Sequence, residues 1–241
     1  MPGRRPRWLL IGNSRWHWAL AGVGGGSSGS SEADLQFAHL SPPASAVEPP
    51  LAWAAVGAVP SEAALSAASR LQLEDVPLAG SPPWLGIDRA LAGWWAARLS
   101  GGPVLVADAG TVLSLTRVDG RGRFAGGRLM AGAALQLAAM GSGTAGLPAL
   151  EGELAAGAEA WPLATAAAMR RGVVEGLAAA VREAGRQARA QEPRCRIVLT
   201  GGDGPTLLPL LRRWPELGED ALVHHPELCL EALVALRPAA P

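Results

Sequence analysis

Val104-Leu105-Val106-Ala107-Asp108-Ala109-Gly110-Thr111 decides the fold, because Trp8-Leu9-Leu10-Ile11-Gly12-Asn13-Ser14 repeats its plan in the other half of the chain. Each stretch is a short apolar run, then a tight Gly turn, then a segment that reads as a second, antiparallel strand: Arg15–Val23 after the first and Val112–Val118 after the second. Both turns offer backbone N–H groups and a hydroxyl with no bulk to block a close approach, which is what a polyphosphate needs. Two such halves are expected to face each other across a cleft, with the division near Ser100–Pro103 and domains spanning 1–101 and 102–241.

Composition narrows the function. The chain has 241 residues, 49% of them apolar and 17% charged, enough to bury a real core. Lys+Arg and Asp+Glu are both 21, and a balanced charge argues against a nucleic-acid binder. Two Cys without short spacing, Cys195 and Cys229, exclude a disulfide scaffold and a structural zinc site. Trp8–Ile11 is too short for a signal-peptide core, and no apolar run approaches a membrane span, so the cytoplasm is the expected location. Lys and Tyr are absent, which removes the Walker-type phosphate loop with its obligatory Lys. Gly24-Gly25-Gly26-Ser27-Ser28-Gly29 matches the dinucleotide fingerprint, but no periodic helix follows and a flexible hairpin loop is the better reading.

Further elements follow from pattern. Strands are expected at Leu35–Leu40, Ala52–Val59, Ile197–Leu199 and Leu222-Val223, with Arg123–Gly126 returning from an Asp119-Gly120 turn. Helices are expected at Ser61–Leu71 with Ser61 as cap, and at Asp88–Leu99, Met130–Met140, Thr165–Gln191, Pro205–Arg213 and Pro226–Ala235. Gly24–Ser31 and Pro42–Pro50 read as loops, and Pro77–Pro83 as a connection. Gly172 and Gly176, four apart, would permit a close helix contact.

The motifs Ile11-Gly12-Asn13-Ser14, Gly86-Ile87-Asp88-Arg89, Asp108-Ala109-Gly110-Thr111, Gly126-Gly127 and Thr200-Gly201-Gly202-Asp203 occur in an order that resembles type III pantothenate kinases, of the acetate and sugar kinase/Hsp70/actin superfamily. The resemblance spans nearly the whole chain. It implies an α/β fold of two RNase H-like (actin-like ATPase) domains with the active site between them. It implies transfer of the ATP γ-phosphoryl group to the primary hydroxyl of pantothenate, the first committed step toward coenzyme A. Mg²⁺, a monovalent cation (K⁺ or NH₄⁺) and a homodimer come with it.

By this resemblance Asp88 is the catalytic carboxylate, or in the plainer reading the cap of the following helix, where the N-terminal dipole would keep it ionised. Arg89 would hold the pantothenate carboxylate, or form an ordinary ion pair; Gly86, Ile87 and Thr165 complete the substrate side, Thr165 alternatively serving as an N-cap. Gly12, Asn13, Ser14, Gly110, Thr111, Gly201 and Gly202 would bind ATP, and Asp108 a metal ion. The chain departs from the family at Leu10, where most members carry Asp. His17 stands where some members carry Lys, and either substitutes for that charge or is structural. No Tyr lines the substrate pocket, so Pro77–Trp84 is the expected replacement wall, and the nine Trp are expected in the core. Two other outcomes stay open: a relative with weakened or lost catalysis acting as a binding or regulatory protein, and a kinase for another small alcohol.

Overall fold

The computed structural model describes residues 5–22, 35–42, 48–150, 154, 157, 159–214 and 221–239. The Gly24–Ser31 loop with its dinucleotide-like pattern, and most of the Pro42–Pro50 loop, lie outside the described residues. The chain divides into two compact units: Met1–Trp95 together with Glu227–Pro241, and Ala96–Pro226.

In the first unit β1 (Arg7–Ile11), β2 (Trp16–Ala21) and β3 (Leu35–Leu40) form an antiparallel meander, and β4 (Ala52–Ala55) joins β1 in parallel, giving the order β3-β2-β1-β4. Strand β1 is buried on both faces, as a central strand must be. Leu9, Ile11, Trp16, Trp53 and Ala63 pack on one another as a core. Two helices complete this unit: the N-terminal part of α1 (Ile87–Ser100), and α5 (Leu228–Leu236), which packs on β1, β2 and β4. The Trp8 indole donates to the Arg237 carbonyl (2.7 Å), and the Trp95 indole to Glu231 Oε2 (3.2 Å).

The second unit repeats the plan. Strands β5 (Val104–Ala109), β6 (Val112–Val118) and β7 (Phe124–Ala131) form the meander, β8 (Arg196–Thr200) joins β5 in parallel, and β9 (Leu222–His224) extends the sheet to β7-β6-β5-β8-β9. The recurring order, an antiparallel meander whose first strand takes a parallel partner, is the RNase H-like arrangement. Helix α3 (Thr165–Gln191) lays Met169, Val173, Val174, Leu177, Ala178, Val181, Ala184 and Ala188 on the sheet residues Leu105, Ala107, Leu113, Ile197 and Leu199. Leu137 of α2 (Ala133–Gly143) and Leu207 and Leu211 of α4 (Gly204–Leu211) close this core. Leu177 is buried at its centre, so Leu177→Ala is expected to cost about 2–5 kcal/mol in a denaturant-unfolding measurement. Among the described residues no helix is long and apolar enough to cross a membrane.

Several expectations change. The 1–101 and 102–241 division gave α5 to the second domain, whereas its contacts place it in the first unit, and the division falls inside α1. No α-helix forms at 61–71. Two 3-10 turns, Ser61–Ala63 and Ala67–Ser69, stand there, with Ala64 left-handed (φ 51°) and no cap from Ser61. The chain must run alongside Trp53, where Leu71 N–H donates to the Trp53 carbonyl (2.7 Å), and a continuous helix cannot do that. Strand β4 stops at Ala55, beyond which Val56 N–H (2.9 Å) and Gly57 N–H (3.4 Å) share the Ile11 carbonyl and the ladder goes no further. The expected 130–140 helix starts at Ala133, since Met130 pairs with Leu113 in β7. Gly172 and Gly176 are exposed, with nothing within 4 Å of where a Cβ would sit, so they make no close helix contact among the described residues. Trp8, Trp16 and Trp53 are core residues as expected, but Trp84 and Trp161 are 75% and 90% exposed.

Candidate active site

In the second unit two glycine turns meet around one carboxylate. Asp108 lies near the end of β5, its Cα opposite Ser114 of β6 and Thr200 of β8. A Cβ on Gly201 would stand 2.4 Å from Asp108 Oδ1 and 2.4 Å from the Ala109 carbonyl, and one on Gly110 would stand 4.0 Å from the same Oδ1. Gly201 has φ 86°, so it serves both a left-handed bend and a close approach. Asp203 N–H donates to the Ala109 carbonyl (2.8 Å) and ties the Gly201-Gly202 turn to the end of β5 just ahead of α4. Asp108, Gly110 and Gly201 are therefore brought together, with Thr111 and Gly202 next to them in the two turns.

A glycine absent from the expected site holds the Gly110-Thr111 turn from behind. Gly132 N–H donates to the Thr111 carbonyl (3.0 Å), and a Cβ on Gly132 would stand 1.9 Å from the Gly110 carbonyl. The first unit has a counterpart in Gly57, where a Cβ would stand 2.3 Å from the Gly12 carbonyl. Gly12 N–H donates to the Arg15 carbonyl (2.9 Å), closing the Gly12–Ser14 turn and leaving Asn13 and Ser14 exposed. In the sequence both are single glycines inside expected elements, Gly57 in Ala52–Val59 and Gly132 in Met130–Met140, which is only a weak signal of close backbone approach.

Asp88 sits in the first turn of α1, one residue past the helix start at Ile87. Its Oδ1 accepts the Arg89 N–H (2.8 Å), and a Cβ on Gly86 would stand 2.6 Å from that oxygen, so Gly86 leaves the room the carboxylate occupies. Burial raises the Asp88 pKa above the ordinary carboxylate value, against the opposing pull of the Arg89 N–H and guanidinium. Loss of solvent thus works against the helix N-terminus that was expected to keep Asp88 ionised. Burial also lowers the Arg89 pKa, while the nearby Asp88 charge works the other way. Ile87 is buried. Thr165 is the exposed first residue of α3, and Ala164 holds the N-cap position, so the capping reading of Thr165 fails.

Among the described residues no group of three or more His, Cys, Asp or Glu converges on a metal position. Leu10 is buried opposite His17, so the first turn brings no carboxylate at the Leu10 position. A single carboxylate at Asp108 fits Mg²⁺, which keeps several waters and leans on substrate phosphates instead of an all-protein cage.

The type III pantothenate kinase family profile matches residues 51–187. A type III pantothenate kinase of Synechococcus elongatus is 38% identical over 87% of this chain and 89% of its own length. One from Thermosynechococcus vestitus is 37% identical, covering 100% of this chain and 94% of its own. A solved structure from Campylobacter jejuni, assigned to the Baf family of transcriptional activators, is similar in fold with a TM-score of 0.59 at 16% identity, over 95% of this chain and 96% of that one. With a profile matched across both units and relatives 37–38% identical over 87–100% of its length, the chain belongs to the type III pantothenate kinase family.

Proposed function

We propose that this protein transfers the γ-phosphoryl group of ATP to the primary hydroxyl of pantothenate, with Asp88 as the base at that hydroxyl. The observation that carries the reading is the doubled glycine turn, one per unit, each backed by a glycine with no room for a side chain, in a chain of this family. Phosphoryl transfer asks the protein chiefly for positioning and charge stabilisation. The Gly12–Ser14 and Gly110-Thr111 turns supply N–H and hydroxyl donors to the phosphates, and Gly201-Gly202 the nucleotide-side turn. Asp108 would hold Mg²⁺ together with water and phosphate oxygens, and the ion would neutralise charge on the transferring group. A buried Asp88 with a raised pKa is a better proton acceptor than a solvated one once ionised. Gly86, Ile87, Arg89 and Thr165 belong to the pantothenate side in this reading. A monovalent cation, a homodimer and a cytoplasmic location complete it, all three carried by the family resemblance.

The test is formation of ADP and phosphopantothenate with Mg²⁺ and K⁺ present, wild type against Asp88→Asn. Equal turnover by the two ends the role of Asp88, and no turnover by a folded wild type ends the kinase reading. Arg89 gives a separate expectation. A charge-assisted hydrogen bond to a carboxylate contributes about 1.5–3 kcal/mol, so Arg89→Gln should raise the pantothenate KM by roughly 10–100-fold with little change in the ATP KM. An unchanged pantothenate KM would return Arg89 to a structural ion pair.

A further inference from the structure

A chain of three titratable side chains leads away from the first glycine turn. A Cβ on Gly12 would stand 3.1 Å from His17 Nε2, so that nitrogen lies over the turn. At the other side of the ring, His17 Nδ1 lies 2.7 Å from His39 Nδ1, and His39 Nε2 lies 3.1 Å from Glu227 Oε1. His17 and His39 are cross-strand partners on β2 and β3, and Glu227 immediately precedes α5.

We propose that the His17–His39–Glu227 chain is a proton-controlled phosphate contact: one proton taken up by the histidine pair turns His17 Nε2 from an acceptor into a donor aimed at the phosphate held by the Gly12–Ser14 turn. This rests on the kinase reading above. The hydrogen bonds settle the proton positions. A carboxylate only accepts, so His39 donates from Nε2. One proton fits between the two Nδ1 atoms. In the neutral pair His17 Nδ1–H donates to His39 Nδ1, and His17 Nε2 presents a lone pair to the turn, which repels phosphate. When the pair gains a proton, the proton between the rings moves to His39 Nδ1. His39 becomes an imidazolium beside Glu227, and the added proton sits on His17 Nε2, facing the turn. Two ring protons become three, and no other group changes.

The surroundings put the charge on His39. Burial, then the charges of His39 and of Arg15, which precedes β2, hold the His17 pKa down to about 4. Glu227 faces His39 from the start of α5, and its buried Oε2 has no hydrogen-bond partner among the described residues, leaving a carboxylate that gains from a cation next to it. His17 can therefore become a donor while staying neutral itself.

The test combines ¹⁵N NMR of the imidazole nitrogens with ATP titration calorimetry in buffers of different ionisation enthalpy. Expected are a His17 tautomer that changes from Nδ1–H to Nε2–H as pH falls, uptake of up to about one proton on ATP binding, and affinity that drops toward about tenfold per pH unit above the pair's titration. His39→Phe, on the edge strand β3, should abolish the uptake and the slope. His17→Lys should bind ATP tightly with no slope in the same range. A His17 tautomer that stays fixed across pH, or ATP binding with the same pH slope in wild type and His39→Phe, overturns the relay and leaves the kinase reading standing. A folded wild type that binds no ATP overturns both.

Discussion

Asp88→Asn is expected to lower kcat by about 10²–10⁴-fold, the range a positioned general base contributes, while the ATP KM stays within a few-fold of wild type. The amide keeps the size and one oxygen of the carboxylate, so the Arg89 N–H retains an acceptor and the first turn of α1 keeps its geometry. What disappears is the ability to take the proton of the acceptor hydroxyl. With Asp88 as the proposed base its ionised form is the active one, so kcat/KM should climb with pH through the Asp88 pKa. Because burial raises that pKa, the acid limb should lie above the range of a solvated Asp. In Asp88→Asn this limb should vanish from the residual activity.

The same burial gives an opposite sign for stability. Between the ordinary Asp pKa and the raised native one, the folded protein binds more protons than the unfolded chain, so stability falls as pH rises through that window. Asn carries no charge to desolvate. Asp88→Asn should therefore show a higher Tm than wild type at neutral pH, with the pH-dependent part of the gain fading below the unfolded-state pKa. A variant that is less active and more stable is the mark of a residue kept for chemistry. A variant that loses both would mean that Asp88 holds α1 together.

Legibility in the sequence followed the range of the physics involved. Helix α3 has the expected bounds, Thr165–Gln191, because a long apolar stripe at helical period is a local signal. Strand β6 likewise spans Val112–Val118, with the Asp119 carboxylate accepting the Arg121 and Arg123 N–H groups in the turn that follows. Ser61–Leu71 misled because its Ala-rich composition satisfies helix propensity, while the distant Trp53 backbone decides the path. Helix α5 looked like the end of the second domain, since sequence order does not say which sheet a helix covers; β1 is buried on both faces and takes it. The two glycine turns proposed to bind phosphate were legible as short motifs. The glycines behind them were not, because Gly57 and Gly132 matter only for which carbonyl stands opposite. The His17–His39–Glu227 chain joins residues 22 and 188 positions apart and leaves no local trace.

Gly132→Ala separates a glycine turn held by packing from one that merely contains a flexible residue. Gly132 has φ −72° and ψ 179°, a conformation Ala adopts freely, so backbone strain plays no part. The obstacle is space: the new Cβ would stand 1.9 Å from the Gly110 carbonyl and 2.7 Å from the Thr111 carbonyl. Both neighbours are backbone of the turn, with no flexible side chain to swing aside, so the turn must move. Overpacking of this kind costs about 1–3 kcal/mol, and a displacement of about 1 Å at a positioning element costs about 10²-fold in rate. Gly132→Ala should thus lower both stability and kcat/KM for ATP, and Gly57→Ala should do the same through the Gly12 carbonyl, 2.3 Å from its new Cβ. Gly143→Ala is the control. It ends α2 with nothing within 4 Å of its Cβ position, and should stay within about 0.5 kcal/mol of wild type with normal kinetics. Thermal unfolding with ATP titration reads all three. If Gly132→Ala unfolds like Gly143→Ala and binds ATP normally, the turn has slack that this packing forbids, and rigid backing of the proposed phosphate turns is wrong.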